Sequence, residues 1–325
     1  MRLTPGKAWG LRRLAGPDER FAMLAVDQRP PIMNLTKAKR GEPEARFDDI
    51  AAVKQLLTRH LAPEATAVLM DPVWAYDRCI AHTSPRQGLL ITLEDHAFKD
   101  TPGGRLSREI EGWSPERIRR IGGDGVKVLA WYRPDAAPEV VAHQKAFVRR
   151  VGEACRAADI CFLLELLVYP LGGDVGYAED PAKYPELVIE SVRAFADPIY
   201  GVDLFKLESP LPAEALPDPA SGNADAKRVQ GLFDTLGQVV DRPWVMLSAG
   251  ASAESFTRVL TYAYRAGASG YLAGRAIWWP SVQAFPDLVE AGRRLDADAV
   301  PFMREINALT RDIAKPVSFE APLTG

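Results

Sequence analysis

Four ionisable side chains fall where charge is costly. Lys127 lies within GVKVLAW, Lys206 within VDLFKLE and Glu165 within FLLELLVY, and Asp27 closes the run FAMLAVD. Each run reads as a buried strand, and an isolated charge in an apolar interior costs several kcal/mol unless it is paired or neutralised. The chain has eleven lysines, of which these two sit in strand-like runs. With side chains alternating along a strand, Lys206 shares its face with Leu204 and Val202, and Glu165 with Leu163 and Leu167. Two lysines and two carboxylates on one sheet suit amine catalysis. A lysine attacks a carbonyl only as the neutral amine, a form that a nearby cation or an apolar wall favours. Lys206 is the expected Schiff-base former and Lys127 the neighbouring cation. Glu165 is expected to move protons during imine formation and hydrolysis, or to act on a substrate hydroxyl. Asp27 is expected to orient Lys127 or to bind a sugar hydroxyl. The protonated imine would serve as the electron sink when an adjacent carbon–carbon bond breaks. The plainer alternative is a salt-bridged cluster that only fixes strand register.

A second group of residues suits anion binding. LSAGAS (247–252) ends a strand in a small-residue turn and runs into a helix, and GRAIW (274–278) does the same and adds Arg275. Ser248, Ala249, Gly250, Gly274 and Arg275 are therefore expected to hold a phosphate on backbone N–H groups and one guanidinium. Gln28 and Arg29 follow Asp27 and join the expected substrate-binding set. Arg29 is the expected contact of a second phosphate, with Lys37, Lys39 and Arg40 as a softer basic group. His60, His82, His96 and His143 lack metal-ligand spacing, so neither a metal nor a cofactor is expected. Trp74, Trp131, Trp278 and Trp279 lie near strand ends, where they either wall a pocket or pack.

These residues need a scaffold that brings distant strands together. Apolar runs bounded by polar or turn residues occur at Phe21–Asp27, Thr66–Asp71, Gly88–Thr92, Gly125–Trp131, Cys161–Tyr169, Val202–Glu208, Trp244–Ser248 and Ser269–Ala273. Helical periodicity fills the gaps at Asp48–His60, Pro138–Ala158, Pro181–Ala196, Asp225–Val240 and Ser252–Ala266, and Ser114-Pro115-Glu116 reads as a helix start. Eight alternating units predict an α/β fold, a (β/α)8 TIM barrel, in a single domain spanning 1–325. A short N-terminal helix is expected to cap the barrel, and a helical segment to end the chain. A doubly wound sheet is the runner-up, but no glycine-rich dinucleotide turn follows the first strand. Arg29–Arg46 and the proline-rich Ser209–Ala226 read as irregular loops at strand carboxyl ends, the second a candidate lid.

Composition bounds the partners. The 325 residues are 26% charged, and 40 basic against 43 acidic side chains leave a net charge of −3. No basic excess exists to neutralise a nucleic-acid backbone. The most apolar run, Ile160–Leu171, is interrupted by Glu165 and is too short to span a bilayer. Cys79, Cys155 and Cys161 form no CxxC pair, and the first residues lack a secretory signal, so a reducing cytoplasm is expected. With the anion-binding residues above, the expected partners are a small phosphorylated molecule and, at most, further copies of the chain in a homo-oligomer.

Taken together, AVDQRP (25–30), ERIRRIGGDGVKVLAWY (116–132), FLLELLVYP (162–170), DLFKLESP (203–210), LSAGAS and LAGRAIW (272–278) resemble the class I tagatose-1,6-bisphosphate aldolase family, which is related to deoxyribose-phosphate and sulfofructose-phosphate aldolases. The resemblance spans nearly the whole chain in order. It implies Lys206 as the Schiff-base lysine, Glu165 as the proton shuttle, Lys127 and Asp27 as their partners, and Ser248, Gly250, Gly274 and Arg275 as binders of a ketose 1-phosphate. It also implies a metal-independent aldolase releasing dihydroxyacetone phosphate and a three-carbon aldehyde. Two departures bear on the aldehyde end: Pro30-Pro31 where a small residue usually follows the DQR motif, and Trp74-Ala75-Tyr76 where a glycine-rich turn is typical. A sulfofructose 1-phosphate substrate and a non-catalytic phosphosugar sensor on the same fold are the alternatives.

Overall fold

A computed structural model of the chain describes residues 3–172, 176–177, 180 and 182–318. Eight parallel strands close into one barrel: β1 (Phe21–Ala25), β2 (Ala67–Met70), β3 (Gly88–Thr92), β4 (Gly125–Trp131), β5 (Cys161–Leu167), β6 (Leu204–Leu207), β7 (Trp244–Met246) and β8 (Gly270–Ala273). Each strand pairs with its neighbours in sequence, and β8 closes onto β1 from Phe21↔Gly270 to Leu24↔Ala273.

Both faces of such a strand are buried, which explains why its sequence is apolar throughout. In β1, Phe21, Met23 and Ala25 belong to the barrel interior, whereas Ala22 and Leu24 belong to the layer under the helices. Leu69, Leu90, Cys161, Leu163, Leu204, Val245 and Leu272 share that interior. The helix Pro5–Ala15 closes its lower end, contributing Leu11, Leu14 and Ala15. Lys7 on that helix pairs with buried Asp203 at 2.6 Å.

The outer helices are Phe47–Leu61, Pro138–Ala157, Lys183–Arg193, Ala224–Val239 and Ala253–Arg265, within a few residues of the expected bounds. Position 181, the expected start of the third of these, lies outside the described residues. Ser114 caps the short helix Pro115–Arg120 by accepting from Arg117 N. Most strands also stop short of the expected ends, so Asp27, Glu208 and Ser248 sit just past β1, β6 and β7.

Two differences matter at the mouth. Arg29–Arg46 is not an irregular loop: Pro30–Arg40 is a helix that ends at Gly41 with φ +69°. Its two prolines occupy the first turn, where the missing N–H has no helical partner to lose. An antiparallel hairpin, Lys99–Thr101 with Gly104–Leu106, lies between β3 and β4, outside the eight expected runs. The Ser209–Ala226 stretch is irregular apart from a single turn at Ala213–Ala215, until the Ala224–Val239 helix begins.

Candidate active site

At the carboxyl ends of the strands the interior changes from apolar to charged. Glu165 on β5 pairs in register with Lys206 on β6, and Lys127 on β4 with Leu163, one layer below. The Glu165 carboxylate bridges the two lysines: Oε1 is 3.0 Å from Lys206 Nζ and Oε2 is 2.8 Å from Lys127 Nζ. Lys127 also donates to Asp27 Oδ2 at 3.0 Å and to Glu94 Oε1 at 2.7 Å. All five side chains are buried.

Glu94 is the residue that sequence reasoning missed. Beyond Lys127 it accepts from Arg29 Nη2 at 2.9 Å, Thr92 Oγ1 at 2.5 Å and Leu129 N at 3.1 Å. The available signal was parity: Leu90, Thr92 and Glu94 alternate along one strand and its extension, and Leu90 faces the barrel interior. Arg29 differs from its expectation as a free phosphate contact. Both terminal nitrogens are committed to Glu94, Nη1 to its carbonyl at 3.0 Å, which makes Arg29 a fixed counter-charge of the cluster.

Charge balance follows directly. Three carboxylates, Asp27, Glu94 and Glu165, meet three cations, Lys127, Lys206 and Arg29. Burial pushes the carboxyls of Asp27 and Glu165 up, but Lys127 and Lys206 outweigh it and hold both below the usual carboxylate range. Burial alone would push Lys127 down, yet Asp27, Glu165 and Glu94 together raise it and fix it as an ammonium. Asp27 Oδ1 is buried with no hydrogen-bond partner among the described residues, which leaves one acceptor of the cluster unspent.

The cluster forms the floor of a cavity of about 370 Å³. One rim is the turn after β7. Ala249 (φ +48°) and Gly250 (φ +86°) hold it in left-handed backbone, and the N–H groups of Ser248, Ala249 and Gly250 have no partner among the described residues. Beside it begins the helix Arg275–Val282 after Gly274. A Cβ at Gly274 would come within 2.6 Å of the Ala25 carbonyl and 2.8 Å of Gln28 Nε2, so only glycine lets the chain pass there. Arg275 makes no ion pair with any described residue, and a Cβ on Gly250 would lie 3.4 Å from its guanidinium carbon. Burial lowers its pKa, with Glu165 and Asp27 offsetting part of the effect, but a guanidinium stays charged in a protein. Arg275 is thus a cation of this cavity with no ion-pair partner among the described residues. The first turn of the Ala253–Arg265 helix is different: Glu214, from the proline-rich stretch, already accepts from Ser252 N at 2.9 Å and Ser255 Oγ at 2.5 Å.

Across the barrel the wall is apolar, made by Leu129, Trp131 and Leu167 with Pro31. Of Trp74, Trp131, Trp278 and Trp279, Trp131 lines the cavity, whereas Trp278 is buried and donates its indole N–H to the Ala25 carbonyl at 3.0 Å. Lys37, Lys39 and Arg40 form the last turn of the Pro30–Arg40 helix, and Arg40 pairs with Asp49. His60 pairs with Asp296, His143 meets the Ser107 carbonyl, and among the described residues no group of three or more His, Cys, Asp or Glu side chains is arranged to hold a metal ion.

Residues 21–279 match the family model described as DeoC/LacD family aldolase. The chain belongs to the DeoC/LacD aldolase family. It is an aldolase, a carbon–carbon lyase. Similar proteins include a tagatose 1,6-diphosphate aldolase of Listeria monocytogenes, 31% identical over 93% of this chain and 95% of that one. A tagatose 1,6-diphosphate aldolase 2 of Enterococcus faecalis is 33% identical over 91% and 89%. Among solved structures, this aldolase resembles an archaeal fructose 1,6-bisphosphate aldolase with a TM-score of 0.59 at 16% identity, covering 94% of this chain and 99% of that one. A fructose-bisphosphate aldolase of Plasmodium falciparum superposes with a TM-score of 0.68 at 12% identity, covering 97% and 98%. Those two likenesses concern the barrel fold of the aldolase. No helix among its described residues is long and apolar enough to cross a membrane.

Proposed function

We propose that this aldolase cleaves a ketose 1-phosphate through an imine on Lys206. The observation that carries the reading is the Glu165 bridge: one carboxylate within 3.0 Å of Lys206 Nζ and 2.8 Å of Lys127 Nζ, at the floor of a cavity whose rim presents free N–H groups and Arg275. The phosphate rests on the Ser248–Gly250 turn and Arg275, with Gly274 and Gln28 beside it, which brings the ketose carbonyl over Lys206. Glu165 takes a proton from the Lys206 ammonium, and the freed amine adds to the carbonyl carbon. The carbinolamine oxygen leaves as water after protonation, giving a protonated imine.

The bond between the carbon attached to the imine carbon and the hydroxyl-bearing carbon beyond it then breaks, and its electron pair moves into the iminium to give an enamine. The hydroxyl proton of the departing half goes to a carboxylate, with Glu165 and the free oxygen of Asp27 as the acceptors in reach. Lys127 stays protonated throughout and steadies the charge on both carboxylates. Protonation of the enamine carbon and hydrolysis of the imine release dihydroxyacetone phosphate. Because the iminium is the electron sink, the scheme calls for neither metal nor cofactor. The tagatose 1,6-diphosphate aldolases among the relatives support tagatose 1,6-bisphosphate as substrate. The apolar wall of Leu129, Trp131 and Leu167 favours also testing a ketose 1-phosphate whose aldehyde half is sulfonated or deoxygenated. The three unpaired buried cysteines support a reducing compartment, the cytoplasm.

Borohydride reduction with dihydroxyacetone phosphate is expected to add mass to the peptide containing Lys206, and Lys206→Ala to abolish cleavage. An unmodified peptide, or cleavage retained in that variant, would end the imine reading. A coupled dihydroxyacetone-phosphate assay across tagatose, fructose and sulfofructose phosphates identifies the ketose. Phosphosugar binding without turnover would instead favour a sensor.

A further inference from the structure

A second ion pair lies behind the cavity, on the outer face of the barrel. Lys54, on the Phe47–Leu61 helix, and Asp71, just after β2, are 2.7 Å apart with both side chains fully buried. Nothing in the chemistry above uses them. A completely buried pair is no gain in stability over a well-packed apolar one, because the desolvation of two charges offsets their attraction. Its value has to be sought in what it touches.

The Lys54 ammonium also donates to the Val26 carbonyl at 2.6 Å. Val26 is the first residue past β1, where its N–H still pairs with Leu69 while its carbonyl has run beyond the ladder. The next residue is Asp27. The ammonium therefore fixes the peptide plane from which the Asp27 side chain departs toward Lys127. Asp71 ties the same ammonium to the exit of β2, where its Oδ1 accepts from Val73 N at 3.0 Å and Trp74 N at 2.7 Å. One buried charge thus anchors two strand exits, and the β1 exit carries Asp27, Gln28 and Arg29 in succession.

We infer that Lys54 is a positioning residue for Asp27, acting through the Val26 carbonyl. The inference rests on the reading of Asp27 as part of the aldolase site. A misplacement of about 1 Å at a reacting group can cost a hundredfold in rate, and loss of one of several restraints on Asp27 is expected to cost about tenfold. The phosphate turn after β7 is untouched by Lys54, so binding of the ketose phosphate should hardly change.

The test is a double-mutant cycle on the full chain. Lys54→Met with Asp71→Asn removes both charges at similar volume and keeps the Asp71 side-chain oxygen for the turn. Rates of ketose phosphate cleavage are expressed per active site, counted by borohydride trapping, which removes any loss due to misfolded protein. The expected result is a kcat about tenfold lower with KM within about twofold, and almost no further loss when the pair is removed in an Asp27→Asn background. If the pair variant does not melt cooperatively, Lys54→Gln with Asp71→Asn, whose amide falls short of Val26, takes its place in the cycle. An unchanged kcat per trapped site, or the same tenfold loss repeated in the Asp27→Asn background, overturns the inference while leaving Asp27 in the site. A wild-type rate in Asp27→Asn alone overturns both.

Discussion

The guanidinium of Arg29 and the carboxylate of Glu94 stand 2.9 Å apart, both buried in the wall of the cavity. Burial pushes Arg29 down, but Glu94, Asp27 and Asp71 together raise it, so it is bound to the cluster as a permanent counter-charge. A cation already neutralised in this way has little left to offer a distant phosphate. Arg29→Met is therefore expected to lower kcat/KM for a ketose monophosphate and a ketose bisphosphate by a similar factor, about tenfold or more, because it leaves Glu94 pulling on Lys127 alone. A loss confined to the bisphosphate, in parallel steady-state assays, would show that Arg29 reads the second phosphate after all.

Arg275 is the opposite case, a cation at the rim with no ion-pair partner among the described residues. Arg275→Ala should raise KM for a phosphorylated ketose by about ten- to a hundredfold, the effect of losing one charge-assisted contact, with a smaller change in kcat. An unphosphorylated ketose should react equally slowly with both proteins. Equal KM values for the phosphorylated substrate would move the phosphate elsewhere.

Lys127 pairs with three buried carboxylates at once. Lys127→Met is expected to remove aldol cleavage and to destabilise the fold by about 3–5 kcal/mol, the usual cost of orphaning buried charge. Asp27 and Glu165 have lowered pKa values in the folded chain, so they stabilise it above their unfolded pKa and that contribution disappears as pH falls through the folded values. Without Lys127 those folded values rise, and the acid loss of stability should begin at higher pH. Denaturant titrations of both proteins from neutral to acid pH test this, and curves that run parallel would contradict it.

Glu208 gives the reverse pH dependence. Burial, with some help from Glu165, pushes its carboxyl up to about 8, although Val168 N and the Tyr184 hydroxyl both hydrogen-bond to it. A raised carboxyl favours the fold fully below its unfolded pKa, and this contribution is lost as pH climbs through about 8. Glu208→Gln, which stays neutral, should lack that decline. Its melting temperature relative to the wild type is expected to improve steadily between pH 5 and 8; a constant difference would place Glu208 in its ordinary range.

Much of this was legible from the residues alone. Strands buried on both faces must be apolar, so eight such runs separated by helical periodicity specify a barrel, and a lysine or glutamate inside a run stands out because burial of charge is costly. That signal marks Lys127, Glu165 and Lys206, which the structure brings into contact. Parity gave their faces, and the small-residue turns at 248–250 and 274–275 gave the opposite rim. The helix Pro30–Arg40 was hidden because its two prolines read as loop, although the first helical turn is the one place that tolerates them.

What only the tertiary structure decided is who pairs with whom. Local patterning fixes the period and face of an element, but a contact between residues 65 positions apart, such as Arg29 with Glu94, depends on how neighbouring strands are staggered. Stagger spent Arg29 on Glu94, left Asp27 Oδ1 and Arg275 without partners among the described residues, and set Lys54 behind Val26. Sequence named the charges that had to be explained; the closed barrel determined which of them are neutralised by one another and which have no partner among the described residues.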